Sequence, residues 1–361
     1  MATTTPSRDV LLKAPKVLLH DHLDGGLRPQ TVIDLAEETG YDGLPTADPI
    51  ELAQWMTRGA DRKDLVLYLD TFAHTTGVMQ SAHALHRVAR ECAEDLVADG
   101  VVYAEVRFAP ELHVEGGLAM DDVLEAVTSG FADGSANTPL TIRTICSAMR
   151  QESRSLEVSQ LAVRWRDQGV VGFDIAGPEN GFPPDDHMLA FQYAQRENFH
   201  FTIHAGEAYG PKSIWKALQW CGAERLGHGV RIMDDISVDA DGEASLGRLA
   251  HYIRDRRVPL EICPSSNLHT GVVDDLADHP IKMFKDLAFR VTLNTDNRLM
   301  SNISMTDEMA NMARVFGWDL ADFLWLTVNG MKSAFLPFDE RLALINKVIK
   351  PTYAALLSQK N

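Results

Sequence analysis

Val17-Leu18-Leu19-His20-Asp21-His22-Leu23-Asp24-Gly25-Gly26 opens as an apolar, β-prone run and stops in two glycines. That is the pattern of a short buried strand with an abrupt end. Side chains alternate along a strand, so His20, His22 and Asp24 share a parity and project to one side. Two imidazoles so placed can reach one metal ion with little freedom to lose on binding, although His-x-His taken alone is equally a pair of hydrogen-bonded core residues.

The rhythm of the remaining chain decides between these readings. Apolar runs recur at Val101–Phe108, Leu140–Met149, Val170–Ile175, Phe199–His204, Arg225–His228, Pro259–Cys263 and Phe289–Asn294. Between them lie helical patterns at Asp121–Phe131, Ser155–Gln168, Asp186–Glu197, Lys212–Cys221, Ser245–Arg256 and Ile281–Leu287. With the first strand this makes eight strands alternating with helices, which predicts an α/β fold, a (β/α)8 TIM barrel with additional helices. A doubly wound dinucleotide-binding sheet has no support, because no Gly-x-Gly-x-x-Gly turn follows any strand.

Elsewhere, Arg28–Thr39 reads as a helix with Pro29 in its first turn, and Asp48 with Glu51 reads as a capping box. The stretch 61–100 is helical throughout and long for one strand–helix repeat, and its His74, His83 and His86 read as surface or packing residues. Ser304–Phe316 and Asp319–Phe335 complete the helical ring, and 338–361 forms a closing helix with a frayed end. Residues 1–13 read as a loose lead-in, and the chain as one domain over 1–361, since no linker or internal repeat divides it.

The chain has 361 residues, 45% of them hydrophobic, enough for a large core. Its 51 acidic against 34 basic residues give a net charge of −17, which disfavours nucleic acid and anionic membranes as partners and suits a small neutral or cationic substrate. Cys92, Cys146, Cys221 and Cys263 are scattered, as reduced structural thiols of a cytoplasmic protein would be. No signal-peptide core opens the chain, and no apolar run approaches the roughly 18 residues of a membrane helix.

In such barrels the reactive groups gather where strands end. Here the first strand ends in His20, His22 and Asp24, the fifth in His204-Ala205-Gly206-Glu207, the sixth in Gly227-His228-Gly229 and the eighth in Asn294-Thr295-Asp296-Asn297. Four strands converging on several imidazoles and carboxylates favour a metal site. His20, His22, His204 and Asp296 form a ligand set suited to one zinc ion with room for water. Glu207, turned by Gly206, can act as an acid/base, and His228 can orient the attacking water or stabilise its charge. Asp296 has a helix cap as its plain alternative. His113-Val114-Glu115 imitates a zinc-deaminase His-x-Glu but lacks the following Pro-Cys-x-x-Cys, so it reads as accidental. His187, His200, His251, His269 and His279 show no convergent partners.

These residues resemble the adenosine deaminase family of the amidohydrolase superfamily. The likeness runs through His-x-His-Leu-Asp-Gly at 20–25, Asp-Ile-Ala-Gly at 174–177, His-Ala-Gly-Glu at 204–207, Gly-His-Gly at 227–229, Cys-Pro-Ser-Ser-Asn at 263–267 and Asn-Thr-Asp at 294–296. The resemblance implies zinc-dependent hydrolytic deamination of adenosine or 2′-deoxyadenosine to inosine or 2′-deoxyinosine and ammonia, a step of purine salvage. By the same carry-over Glu207 protonates the ring nitrogen beside the attacked carbon, and His228 and Asp296 complete the catalytic set. His22, Asp24, Gly177 and Asn297 contact substrate, Asp24 at the ribose hydroxyl and the backbone of Gly177 at the base. Asn297 departs from the family, whose best-known members carry a second aspartate that meets the imidazole ring of the purine. This leaves adenine or aminodeoxyfutalosine as alternative substrates, and Arg298 beside it reads as surface-facing. The competing readings are a binuclear hydrolase, disfavoured because the fourth strand carries no lysine, and a catalytically silent binding protein on the same fold.

Overall fold

The computed structural model describes residues 5–358. Eight parallel strands, β1 (Lys16–His22), β2 (Val101–Phe108), β3 (Thr141–Met149), β4 (Val170–Ala176), β5 (His200–Ala205), β6 (Arg225–His228), β7 (Pro259–Ile262) and β8 (Arg290–Leu293), pair in chain order. The seam between β8 and β1 is bonded too. His22 N donates to Asp296 O at 2.7 Å, Asp296 N to His20 O at 3.0 Å, and Leu19 N to Asn294 Oδ1 at 2.9 Å. The sheet is thus a (β/α)8 barrel, and its closing bonds involve His20, His22, Asn294 and Asp296 from the strand ends singled out in the sequence.

The strands are almost wholly buried because one face packs into the barrel and the other under the helix ring. The floor of the barrel is charged. Arg107 bridges Asp174 (3.2 Å) and Glu261 (2.7 Å), while Arg225 bridges Glu261 and Glu105, both at 2.6 Å. Each ion here has an opposite partner, which is the condition for burying charge.

Several local expectations are corrected. The lead-in contains a helix, Arg8–Lys13, capped by Ser7 and anchored by fully buried Leu11, while residues 1–4 lie outside the described residues. The expected helix at Ser245–Arg256 begins as a strand of a small hairpin (Ile236–Val238 with Ala244–Leu246) and turns helical only at Arg248–Asp255. At Asp48 the capping box is half formed. The Asp48 side chain accepts from Ile50 N and Glu51 N, but the Glu51 carboxylate takes the Thr46 hydroxyl, and that hydroxyl accepts Asp48 N. The closing helix runs Phe338–Leu344, Ile345–Ile349 and Lys350–Ser358 with a π-type middle, and its expected frayed end falls outside the described residues.

Arg298 is not on the surface. Its stem carries the guanidinium inward, where Nε donates to Asp21 Oδ1 at 3.0 Å and Nη2 meets Cys92 Sγ at 3.1 Å. Asp21 is fully buried, so Arg298→Ala strands a carboxylate and is expected to cost about 3 kcal/mol of stability. Denaturant unfolding measures this, and an unchanged midpoint would mean that the Thr295 hydroxyl, 2.8 Å from Asp21 Oδ1, suffices.

Candidate active site

The C-terminal ends of β1, β5, β6 and the turn after β8 meet above the charged floor. His22 Nε2 lies 3.3 Å from His204 Nε2, and Asp296 Oδ1 lies 3.3 Å from His20 Nε2 and 3.4 Å from His22 Nε2. His228 and Asp296, neither of them glycine, are both held at φ 61° in this cluster. Left-handed backbone of this kind in non-glycine residues is a signature of functional sites.

The second nitrogens explain how the cluster is poised. His20 Nδ1 lies 2.9 Å from Glu261 Oε2, and His204 Nδ1 lies 2.9 Å from Asp174 Oδ2. Burial opposes the charge of both carboxylates, but for Asp174 the neighbouring His204 and Arg107, and for Glu261 Arg107 and Arg225, win and hold them below the ordinary range. An ionised carboxylate only accepts, so each ring keeps its proton on Nδ1 and turns the Nε2 lone pair toward the common centre. His20 Nε2 is buried there without a partner. Nitrogen lone pairs from His20, His22 and His204 within 4.8 Å of one another, with Asp296 beside them, fit a divalent metal ion. Asp296 stays anionic: burial works against it, but His20, His228 and His22 hold it well below the usual range, and Ser266 Oγ donates to its Oδ2 at 2.6 Å.

Next to the cluster stands Glu207, buried, with Oε2 3.6 Å from His228 Nε2. Burial first, then the charges of Asp296 and Glu179, push its carboxyl well above the usual range, which favours the protonated acid. Its loop is held by a residue the sequence reading missed. The Glu179 carboxylate accepts the backbone N–H groups of Gly206 (2.6 Å), Glu207 (3.1 Å), Ala208 (2.9 Å) and Tyr209 (2.9 Å). Glu179→Gln sets an amide N–H against these donors and is expected to lower kcat by about 10²-fold through misplacement of Glu207, with the circular dichroism unchanged. An unaltered kcat would show that the loop holds itself.

A cavity of about 420 Å³ opens over the cluster. The helical excursion supplies its apolar wall, with Leu65, Tyr68, Leu69, Phe72, Ala73 and Thr76 from Leu65–Leu69 and Phe72–Val78. His22, Asp24, Gly177, Glu207, His228 and Asn297 all border the same space. Burial, then the charges of Asp21 and Asp296, raise the Asp24 carboxyl to about 7, with its own backbone amide opposing, so it can donate or accept. His113, whose His-x-Glu motif was read as accidental, lies apart from the cluster of His20, His22 and His204 and is fully buried with Nε2 4.0 Å from Asp24 Oδ2. Asn297 packs one end of its amide against Gly25, where a Cβ would come within 2.0 Å of it, and leaves the other end to the cavity.

Comparison with known proteins agrees with this geometry. The adenosine deaminase family model matches residues 15–351. Adenosine deaminase 1 of Streptomyces coelicolor is 59% identical over 98% of this chain and 91% of its own length, and the adenosine deaminase of Mycobacteroides abscessus is 59% identical over 96% and 97%. Among solved structures, an adenine deaminase from Arthrobacter aurescens superposes with a TM-score of 0.81 at 24% identity, covering 96% of this chain and 99% of that one. A Burkholderia ambifaria amidohydrolase with bound Zn gives 0.82 at 24% identity, covering 99% and 96%. The structural likenesses establish the barrel, and the sequence matches over almost the full length establish the lineage: this chain belongs to the adenosine deaminase family of hydrolases.

Proposed function

We propose that the chain, as a single catalytic domain acting in the cytoplasm, hydrolyses adenosine and 2′-deoxyadenosine to inosine and 2′-deoxyinosine with release of ammonia. One zinc ion held by His20, His22, His204 and Asp296 would supply an activated water at neutral pH. The observation that carries the reading is a buried Glu207, 3.6 Å from His228 and with its carboxyl pushed above the usual range, at the edge of a nitrogen-rich cluster in a purine-sized cavity.

The residues divide the work. Glu207 delivers its proton to the ring nitrogen beside C6, which makes that carbon electrophilic, and a neighbouring carboxylate, Asp296, remains ionised to draw the water's proton. His228 stands where it orients the water or stabilises the charge that develops on adding it. Asn297 presents an N–H to the imidazole edge of the purine. The φ of 106° at Gly177 and its missing side chain let the base approach the backbone, and Asp24 receives the ribose. Apolar residues from the helical excursion cover the site and limit water.

The lining also favours a nucleoside over a nucleotide. Among the described residues no lysine or arginine borders the cavity, whereas Asp24 and Asp70 do. A phosphate would enter unpaired, which costs several kcal/mol. Incubating zinc-loaded protein with adenosine, 2′-deoxyadenosine, adenine, AMP and aminodeoxyfutalosine, with products followed by mass, tests this. Both nucleosides are expected to lose ammonia, with AMP slower by at least about 10²-fold. Turnover of adenine or aminodeoxyfutalosine alone would move the substrate, and no turnover of any would favour a binding protein.

A further inference from the structure

The hydrogen bonds behind His228 have a fixed direction, and we infer from them that His228 acts as a hydrogen-bond donor through Nε2–H, with Asn267 and His279 as the positioning residues that hold it in that tautomer. The inference rests on the deaminase reading above, which places His228 beside the attacking water.

The direction starts from a backbone amide, which can only donate. Ile281 N lies 3.1 Å from His279 Nδ1, so that nitrogen accepts. Burial lowers His279 to about 3, so the ring is neutral and its proton sits on Nε2. That Nε2–H donates to Asn267 Oδ1 at 3.2 Å, which settles which end of the amide is oxygen. Asn267 Nδ2–H then donates to His228 Nδ1 at 3.2 Å. His228 Nδ1 therefore accepts, and the proton of the imidazole sits on Nε2, the nitrogen that faces Glu207 at 3.6 Å. Each tautomer and amide orientation follows from the one before it, and no step depends on an assumed proton.

Water has no access from which to reverse this order. His279 is 2% exposed, Asn267 fully buried and His228 1% exposed. The tautomer bears directly on the chemistry. An Nε2 that carries a proton has no lone pair with which to accept one, so His228 does not deprotonate the water. It can donate to the oxygen that gains negative charge as water adds to the purine carbon, the role of an oxyanion-stabilising group. The relay links the segment after β7, which carries Asn267 on the short helix Pro264–His269, to the residue ending β6.

Asn267→Asp tests the inference, because it changes the direction and almost nothing in shape. A carboxylate accepts from both neighbours, so His228 must move its proton to Nδ1 and expose a lone pair at Nε2. In zinc-loaded, ¹⁵N-histidine-labelled protein, the ring nitrogens of His228 are expected to exchange their protonated and unprotonated signatures between wild type and variant. Turnover of adenosine should fall by about 10²-fold in kcat, the scale of losing one oxyanion donor, with KM changed only a few-fold and zinc content equal. If His228 were instead a base, an aspartate behind it would strengthen it, so a retained or raised kcat overturns the proposal. A wild-type spectrum with the proton on Nδ1 overturns it as well.

A second pair guards against misfolding of that variant. His279→Gln, whose amide can accept from Ile281 N and donate to Asn267, is expected to keep kcat within about threefold, while His279→Leu loses tenfold or more. Equal losses in both would reduce His279 to packing and sink its positioning role. Failure of wild-type protein to deaminate adenosine would instead remove the functional reading, and the spectra would still report the tautomer.

Discussion

Glu207→Gln is expected to lower kcat for adenosine by about 10³-fold while leaving fold and bound zinc at wild-type levels. The glutamine is isosteric and can still donate a hydrogen bond, but it has no proton to release, so the variant separates contact from transfer. The size of the effect follows from the burial of Glu207 and from Asp296 and Glu179, whose charges raise its carboxyl. The sign with pH follows too. The active form is the protonated acid, so the wild-type rate is complete below the raised pKa and declines as pH rises through it. That alkaline decline should lie above the ordinary carboxyl range and should be absent from the residual rate of the variant. Steady-state kinetics between pH 5 and 9 measure both, and a fully active variant would remove Glu207 as the proton donor.

What could be read from the sequence follows a physical division. The strands were legible because each is an apolar run closed by a turn, and β2 and β6 match their expected bounds, Val101–Phe108 and Arg225–His228. That His20, His22, His204 and Asp296 would come together was legible because they sit at strand ends, where a barrel gathers them. The residues that orient those side chains were not. Asp174, Glu261 and Glu179 act through one ring nitrogen or a run of backbone amides on another strand, and such partnership leaves no periodicity. The Asp-Ile-Ala-Gly motif contained Asp174 and Cys-Pro-Ser-Ser-Asn contained Ser266 and Asn267, but neither motif shows what those side chains face. His279 was set aside for lack of partners although its partner is 12 residues away and buried with it. Arg298 was misread because the carboxylate that holds its charge inside, Asp21, lies 277 positions away in the chain and leaves no local pattern.

Stripping the metal with a chelator is expected to abolish turnover, and zinc should restore it in full at one equivalent per chain. The site shows why one ion is the expected number. The lone pairs of His20, His22 and His204 point to a single centre with Asp296, and β4, where a binuclear relative carries a bridging lysine, offers Asp174, already bonded to His204. Removal should also cost stability, because it leaves the buried His20 Nε2 without a partner and several imidazoles crowded together. A ligand held at 100 times its Kd contributes about 2.7 kcal/mol. For a chain of 361 residues, at about 2.1 cal/mol/K of unfolding entropy per residue, that is a fall in Tm of about 3–4 °C. Calorimetry of stripped and reloaded protein, with metal counted by elemental analysis, reads occupancy and stability independently of activity. A need for two equivalents would revive the binuclear reading, and full activity in stripped protein would remove the metal from the reaction. Asp174→Asn separates ligand from orienter in the same experiment. It frees the His204 tautomer without removing a ligand, so zinc affinity should fall about 10- to 100-fold while one equivalent still suffices at high zinc.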